Sequence, residues 1–335
     1  MIIDHNFYMQ LALNEAWKYQ LQTYPNPSVG AVVVKNGAIL SIEAHKEAGK
    51  PHAEVNAIKE AFLKYFPDSP IKKLDDSFEI HTFLLKNHDR IFEDCTIYVT
   101  LEPCNHIGKT PACSNLIKEL HFKEVIIGTR DPNNIASGGI EYLKKSNIDV
   151  TIGILEKKCK DLLYPFTIWQ KKQFIFFKMA QRLDGSVHGG KISSQKSLEW
   201  VHSLRTKIDC LLIGGETVRT DRPTLDSRYV NGNAADVFIY TRMKEFDATI
   251  PLFSVKNRKV NIGNDLSLVQ NKQFIMVEGG YNFLELLKDK IDMIVIILSA
   301  KIYQQIKNNI IYLEYEILFQ YFNDEDIIIY LKIKK

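Results

Sequence analysis

Hydrophobic and polar positions in the first half of the chain follow helical and strand-like spacings in turn. Apolar residues at helical spacing over 5–22 predict a helix that ends before Tyr24-Pro25, because proline cannot continue it. Two apolar runs, Val29 to Val34 and Ala38 to Ile42, flank Asn36-Gly37 and predict a hairpin. Further helical patterns cover 53–66, 114–120 and 139–145, and further strand-like runs cover 96–100, 125–129 and 150–152. This alternation predicts a sheet covered by helices, an α/β/α sandwich.

The second half contains more strand-like runs, after a segment over 155–172 that is helical in pattern and dense in lysine. The runs cover 174–179, 210–213, 237–240, 274–277, 293–298 and 327–332. We therefore predict two α/β domains, 1–153 and 173–335, joined by a linking helix over 154–172. Residues 67–94 show little periodicity and are predicted to be an insertion in the first domain.

Composition narrows the class of protein. The chain has 335 residues, 45% hydrophobic and 25% charged, which is an ordinary globular balance. A formal charge of +3 gives no reason to expect nucleic-acid or membrane partners. Residues 1–7 lack the pattern of a secretory signal, and the apolar run 293–298 is too short to cross a bilayer. Five scattered cysteines, an odd number, argue against a disulfide framework, so we expect a cytoplasmic protein.

A zinc-binding pattern lies in the first domain. Pro51-His52-Ala53-Glu54 is followed by Glu102-Pro103-Cys104 and then by Cys113. One imidazole and two thiolates suit a tetrahedral Zn²⁺ whose fourth position stays open for water, and such water loses a proton near neutral pH. Glu54, two residues after the histidine, can take that proton and return it to a leaving amine. A His-x-Glu followed by Pro-Cys and a second Cys is the signature of zinc-dependent deaminases.

Two other interpretations compete with a catalytic zinc. His52 could pack locally beside ordinary buried thiols, although the ordered set of four residues speaks against this. A structural zinc would need a fourth protein ligand, which His106 could supply. The gap of eight residues between Cys104 and Cys113, where two are usual, also predicts that His106 and Lys109 lie beside the metal and contact substrate.

Longer blocks around these residues carry a family resemblance. They are Asn26-Pro27-Ser28-Val29-Gly30, His45 with Ala48-Gly49, the segment from Thr100 to Cys113 with Gly108-Lys109-Thr110-Pro111 between the cysteines, and Asp131-Pro132-Asn133. Together they resemble the bifunctional riboflavin-biosynthesis deaminase–reductases. The resemblance implies a cytidine-deaminase-like domain that removes the 2-amino group of 2,5-diamino-6-ribosylamino-4(3H)-pyrimidinone 5′-phosphate by hydrolysis. It also implies that Asn26, His45, His106 and Lys109 bind this small phosphorylated substrate. Asn26 between prolines could instead serve a turn, and Lys109 could be a solvated lysine.

Blocks in the second half resemble the reductase of the same family. They are Lys178-Met179-Ala180, Leu183-Asp184-Gly185, Leu204-Arg205, Ile213 to Val218, Asp221 to Leu225 with Arg228, and Val277-Glu278-Gly279-Gly280. The resemblance implies a dihydrofolate-reductase-like fold that uses NADPH to reduce the ribosyl group to a ribityl group. NADPH-binding residues would be Ala180, Thr217, Asp221, Gly279 and Gly280. Substrate-binding residues of the reductase would be Arg205, Leu225, Arg228 and Glu278. A glycine pair before a helix can hold a pyrophosphate, but it is as often only a tight turn.

The reductase half departs from the family pattern in two places. The stretch between Gly185 and Ile192 is shortened, and Lys191-Ile192-Ser193 stands where the family usually has Trp-Ile-Thr/Ser. Residues 230–335 also match poorly. One alternative is therefore a deaminase with an inactive scaffolding second domain. A second alternative is a non-enzymatic zinc-binding interaction protein, in which Glu54 would have no function. A homo-oligomer is compatible with either.

Overall fold

A computed structural model describes residues 3–106, 108, 110–133, 137–303 and 313–334. The chain divides into two compact units, residues 1–167 and 168–335. The domain boundaries at 153 and 172 stay predictions. The first unit contains α1 His5–Trp17, β1 Gly30–Lys35, β2 Ala38–Ala44, α2 Ala53–Tyr65, α3 Ser77–Asn87, β3 Cys95–Leu101, α4 Cys113–Glu119, β4 Glu124–Thr129, α5 Gly139–Lys145, β5 Asp149–Ile152 and α6 Glu156–Leu162. The helix α7 Tyr164–Trp169 follows.

The first unit is built on a five-stranded sheet in the order β2-β1-β3-β4-β5. β1 runs antiparallel to β2 and to β3, whereas β3, β4 and β5 are parallel. The predicted hairpin is confirmed: Asn36 and Gly37 both have positive φ, 50° and 80°, which is the two-residue turn that suits the twist of paired strands. The parallel strands end at one edge of the sheet, where connecting loops can meet.

Alternate side chains of the strands are buried on opposite faces of this sheet, as a covered sheet requires. Val33 and Val99 belong to the same buried cluster as Ile58 of α2 and Leu116 of α4. On the other face, α1 packs against β1, β2 and β3, and α6 packs against α1 and β4. The fold is therefore the predicted α/β/α sandwich.

Two segments of the first unit differ from expectation. The helix predicted over 5–22 ends at Trp17, and Leu21 has a left-handed φ of 70° that no helix continues. Within 67–94, where we noted little periodicity, residues 70–73 form a 3₁₀ turn and 77–87 form α3. The side chain of Asp76 caps α3 by accepting hydrogen bonds from the backbone N–H groups of Phe78 and Glu79.

The second unit contains an eight-stranded sheet in the order β12-β13-β11-β6-β10-β7-β8-β9. Its elements are β6 Phe174–Arg182, α8 Gln195–Arg205, β7 Cys210–Gly214, α9 Gly215–Asp221, β8 Asp236–Tyr240, β9 Val260–Gly263, β10 Phe274–Glu278, α10 Tyr281–Leu287, β11 Met293–Ser299, β12 Tyr315–Asn323 and β13 Asp326–Ile333. From β11 to β9 the neighbouring strands are parallel, and a β12–β13 hairpin is added antiparallel at one edge.

The second unit is thus the predicted α/β domain, with two strands more than its apolar runs indicated. β9 and β12 were missed because each has few fully buried residues, which leaves a weak apolar pattern. In both units, no helix among the described residues is long and apolar enough to cross a membrane.

Candidate metal centre and active site

The zinc-binding pattern converges at the edge of the first sheet where β3 ends. His52 is the residue that precedes α2, Cys104 follows β3 by three residues, and Cys113 is the first residue of α4. Both cysteines are buried, at 8% and 0% exposure. His52 and Cys113 thus lie at the starts of two helices, and Cys104 lies in the loop after a strand. All three side chains therefore meet at this edge of the sheet.

The ligand atoms stand at distances that fit a zinc ion. His52 Nδ1 lies 3.6 Å from Cys104 Sγ and 3.4 Å from Cys113 Sγ. Zinc bonds of about 2.1 Å to nitrogen and 2.3 Å to sulfur, meeting at a tetrahedral angle, would separate the two atoms by about 3.6 Å. His52 Nε2 is instead 3.3 Å from Thr110 Oγ1, so Nδ1 is the nitrogen directed at the candidate metal position.

Within the described residues, the group of three that could hold a metal comprises His52, Cys104 and Cys113. His106, the fourth ligand that a structural zinc would need, is exposed and does not belong to it. The Cys113 thiol, with His52, lowers the pKa of Cys104 to about 4 despite the opposing effect of burial. The backbone N–H of Cys113 also donates to Cys104 Sγ at 3.4 Å. Cys104 is therefore ready to act as the thiolate that a metal binds.

Glu54 lies on the first turn of α2, beside these ligands, and is 4% exposed. Burial raises the pKa of its carboxyl to about 7, against the lowering effect of His52. A bound cation would oppose this shift. A carboxyl that exchanges its proton near neutral pH is what a general acid–base requires.

Asn26 and His45, both expected to bind substrate, contact each other. His45 is 2% exposed, and burial lowers its pKa to about 4, so the ring is neutral at neutral pH. Its Nδ1 is 3.0 Å from the carbonyl oxygen of Pro51 and its Nε2 is 3.1 Å from Asn26 Nδ2. Nδ1 therefore donates to Pro51 and Nε2 accepts from Asn26. The His45 ring also stands edge-on to His52, with centroids 5.4 Å apart.

Glu102 is a residue of this site to which we assigned no role from sequence. It is 4% exposed, and its two carboxylate oxygens accept backbone hydrogen bonds from Asp131 at 3.2 Å, Gly138 at 2.9 Å and Ile140 at 3.2 Å. It thereby ties the loop that carries Cys104 to the loop after β4. The sequence feature that could have identified it is its place in the pattern Glu102-Pro103-Cys104. The predicted substrate residue Lys109 lies outside the described residues.

In the second unit, three charged side chains form one buried cluster. Arg205 at the end of α8 donates two hydrogen bonds from Nε and Nη2 to Glu278 Oε1, at 3.2 and 2.9 Å, and one from Nη2 to Oε2 at 3.2 Å. Lys178 stands opposite Glu278 in the β6–β10 register, with Nζ 3.4 Å from Oε2. Burial alone would raise the pKa of Glu278, but Arg205 and Lys178 outweigh it and lower that pKa to about 2. Lys178 belongs to the block Lys178-Met179-Ala180 that resembles the family, but we assigned it no role from sequence.

Of the other predicted reductase residues, Arg228 is connected to this cluster through Asp226. Asp226 links the two arginines: its carbonyl accepts from Arg205 Nη1 at 3.1 Å and its carboxylate accepts from Arg228 Nε at 2.8 Å. Leu225 is buried with a left-handed φ of 56°, and its carbonyl accepts from Arg258 at 2.6 Å. Thr217 and Asp221 lie on α9, the latter exposed, and Ala180 lies on β6.

The glycine pair joins β10 to α10. A Cβ at Gly279 would lie 2.8 Å from Phe283 Cδ1, whereas one at Gly280 would meet only Val187 at 3.7 Å. Glycine is therefore needed at position 279 because a side chain there would collide with Phe283. The backbone of Gly280 has more free space around it.

Comparison with known proteins agrees with this division. Residues 2–129 match the family described as the cytidine and deoxycytidylate deaminase zinc-binding region, and residues 173–302 match the RibD C-terminal domain. Riboflavin biosynthesis protein RibD of Aquifex aeolicus is 39% identical over 236 residues, 68% of this chain and 58% of that protein. RibD of Synechocystis is 35% identical, over 62% of this chain and 52% of that protein. The matches thus span somewhat more than half the length of these relatives.

A solved structure from Thermotoga maritima, described as a diaminohydroxyphosphoribosylaminopyrimidine deaminase/5-amino-6-(5-phosphoribosylamino)uracil reductase, superposes with a TM-score of 0.64. It is 26% identical and is covered at 99%, against 98% of this chain. The chain therefore couples a cytidine-deaminase-like zinc-binding domain to a RibD reductase-like domain. In this combination the chain is similar to the riboflavin-biosynthesis deaminase–reductases.

Proposed function

We propose that the first unit is a zinc-dependent deaminase of 2,5-diamino-6-ribosylamino-4(3H)-pyrimidinone 5′-phosphate. The observation that carries the proposal is the buried set of His52, Cys104 and Cys113 with Glu54 beside it. Zinc, when bound there, supplies the Lewis acidity that brings the pKa of water near neutrality. The spacing of Nδ1 from the two sulfurs supports zinc as the metal.

Glu54 is the group that moves protons in this proposal. It takes a proton from the attacking water and delivers it to the departing amine, so that water adds to C2 of the pyrimidine and ammonia leaves. Burial raises the pKa of this carboxyl above its ordinary value, which suits a group that must both accept and return a proton within one cycle. Asn26 holds its amide against neutral His45 and thereby presents its carbonyl oxygen in a defined orientation, which suits the N–H groups of a pyrimidine edge.

We propose that the second unit reduces the deaminated product with NADPH. The hydride goes to the anomeric carbon, whose bond to the ring oxygen breaks, and a proton goes to that oxygen to give the ribityl chain. The cluster of Lys178, Arg205 and Glu278 supports a site at the carboxyl end of β10, beside the middle of β6, because open parallel sheets bind ligands at the carboxyl ends of their strands. Since Glu278 binds both cations, Arg205 reaches a substrate phosphate only by exchanging some of these hydrogen bonds.

One experiment tests both halves. The purified chain is given the diaminopyrimidine phosphate with zinc, and ammonia and product masses are followed before and after NADPH is added. We expect the deaminated product first and the reduced product only with NADPH. Ammonia release without NADPH oxidation, together with no saturable NADPH binding at millimolar concentration, would assign the second unit a scaffolding role. The absence of ammonia would refute the deaminase.

We also propose a cytoplasmic setting, in which reduced cysteines are maintained. All five cysteines are free and buried, and three of them, Cys95, Cys159 and Cys210, have their thiol pKa raised by burial, which makes them unreactive. A homo-oligomeric assembly stays a prediction, which light scattering of the purified chain tests.

A further inference from the structure

The helix α3 belongs to segment 67–94, which is not among the sequence blocks that carry the family resemblance, and it packs against the two helices whose starts contribute metal ligands. It contacts α2, which follows His52, and α4, which begins at Cys113. Its side chains Ile80 and Leu84 belong to the same buried cluster as both cysteines. Residues Ser77, Ile80, His81 and Leu84 form its buried face, at the spacing that one side of a helix requires.

Two contacts fix the start of α3 beside the residues that lead into α2. Lys50 Nζ is 3.0 Å from Asp75 Oδ2, and Lys50 stands two residues before His52. Lys59 lies on α2, about one and a half turns after Glu54, and its Nζ donates to the carbonyl oxygen of Leu74 at 2.6 Å. The residues that lead into α3 are therefore held beside the start and the second turn of α2.

The buried face of α3 contains two polar atoms without a hydrogen-bond partner among the described residues. They are Ser77 Oγ and His81 Nε2, on residues that are 3% and 4% exposed. The residues are four apart, so their side chains are neighbours on the helix surface. An unpaired buried polar group is costly, so in a native protein it calls for an explanation such as a functional role or a bound water or ion.

The charges of the metal centre reach His81. Burial is the main cause that lowers the pKa of His81 to about 4, and the groups that act on it next are Cys104 and His52. The ring is therefore neutral at neutral pH, with one donor and one acceptor nitrogen. Its side chain is as little exposed as that of Glu54, and Cys104 and His52 influence the pKa of both groups.

We propose that His81 is a substrate-binding residue of the deaminase, contributed by α3, and that its Nε2 forms a hydrogen bond to the bound pyrimidine nucleotide. The proposal rests on the deaminase function proposed above. Ser77 Oγ, one turn away, supplies a second hydrogen bond to the same ligand.

Substitution at His81 with a matched control tests this. The amide of His81→Gln can reach the position of Nε2, whereas His81→Leu fills the space without a polar atom. Ile80→Val, at the neighbouring buried position, changes packing but leaves His81 intact. Zinc content, the KM and kcat of ammonia release, and NADPH-dependent reduction are measured for the wild-type chain and each variant.

We expect His81→Leu to raise the KM of deamination about 5- to 10-fold, the effect of one lost hydrogen bond, with full zinc content and unchanged reduction. His81→Gln should recover most of the loss, and Ile80→Val should match the wild type. An unchanged KM in His81→Leu would overturn the proposal, as would zinc loss in that variant, since His81 would then support the metal. If His81→Leu does not fold, His81→Gln is compared with His81→Asn, whose amide is too short to reach the position of Nε2. We then expect the raised KM in His81→Asn, and equal KM values in the two variants would overturn the proposal. A wild-type chain that releases no ammonia would refute the deaminase function itself.

Discussion

Replacing Glu278 by glutamine tests whether the buried cluster of the second unit is an electrostatic unit. Among the residues that the structure describes, Glu278 is the carboxylate that contacts both Arg205 and Lys178, and the side chains of all three are 10–13% exposed. Glutamine keeps the shape of the side chain but removes the negative charge. Two cations would then share a buried site at the end of β10 and the middle of β6.

The size of the effect follows from the pKa of Glu278. Its fall from 4.5 to about 2 on folding corresponds to roughly 3 kcal/mol, at about 1.4 kcal/mol per pH unit. Removal of one partner from a buried ion pair typically costs about 3–5 kcal/mol, which agrees. Because the folded pKa lies below the ordinary value, this stabilisation is complete above about pH 4.5 and is lost as the pH falls towards 2.

Hydrogen exchange of peptides from β6 and β10 measures the effect within the second unit. We expect exchange in Glu278→Gln to be roughly 100-fold faster at neutral pH, as about 3 kcal/mol implies. Glu285→Gln is the matched control, because Glu285 pairs with Lys288 at the surface, with 42% of its side chain exposed, and should cost about 0–1 kcal/mol. Equal exchange in the two variants at neutral pH would refute the assignment of the cluster.

The remaining predictions concern the two candidate sites. Glu54→Gln should lower deamination about 10²- to 10⁴-fold while zinc stays bound, and near-normal turnover would mean that another group moves the proton. Cys104→Ser and Cys113→Ser should each show depleted zinc on metal analysis, and full zinc content in both would exclude the assigned ligands. Arg205→Ala should raise the KM for reduction and leave ammonia release unchanged, whereas loss of both activities would indicate a fault in folding.

The metal centre could be predicted from sequence because its chemistry sits in a short ordered pattern. His52, Glu54, Cys104 and Cys113 are each recognisable from residue type and spacing. The nitrogen that faces the metal could not be predicted, since it depends on how the His52 ring is oriented between the two sulfurs and Thr110.

The helix α3 was missed although local signals were present. Asp76 is a good N-cap, and Ile80, His81 and Leu84 have helical spacing, but the lysines and aspartates around them hid the pattern. Other contacts join residues that are far apart in the chain. Asn26 forms a hydrogen bond with His45, and Glu278 forms ion pairs with both Arg205 and Lys178. Such pairs follow from strand order and register, which local periodicity does not reveal.

Zinc titration of the metal-depleted chain tests the central claim most directly. Ammonia release from the diaminopyrimidine phosphate is measured as zinc is added in fractions of the chain concentration. If His52, Cys104 and Cys113 hold the metal that deamination needs, activity starts near zero and rises in proportion until one zinc per chain is bound. Equal ammonia release with and without zinc would contradict the account.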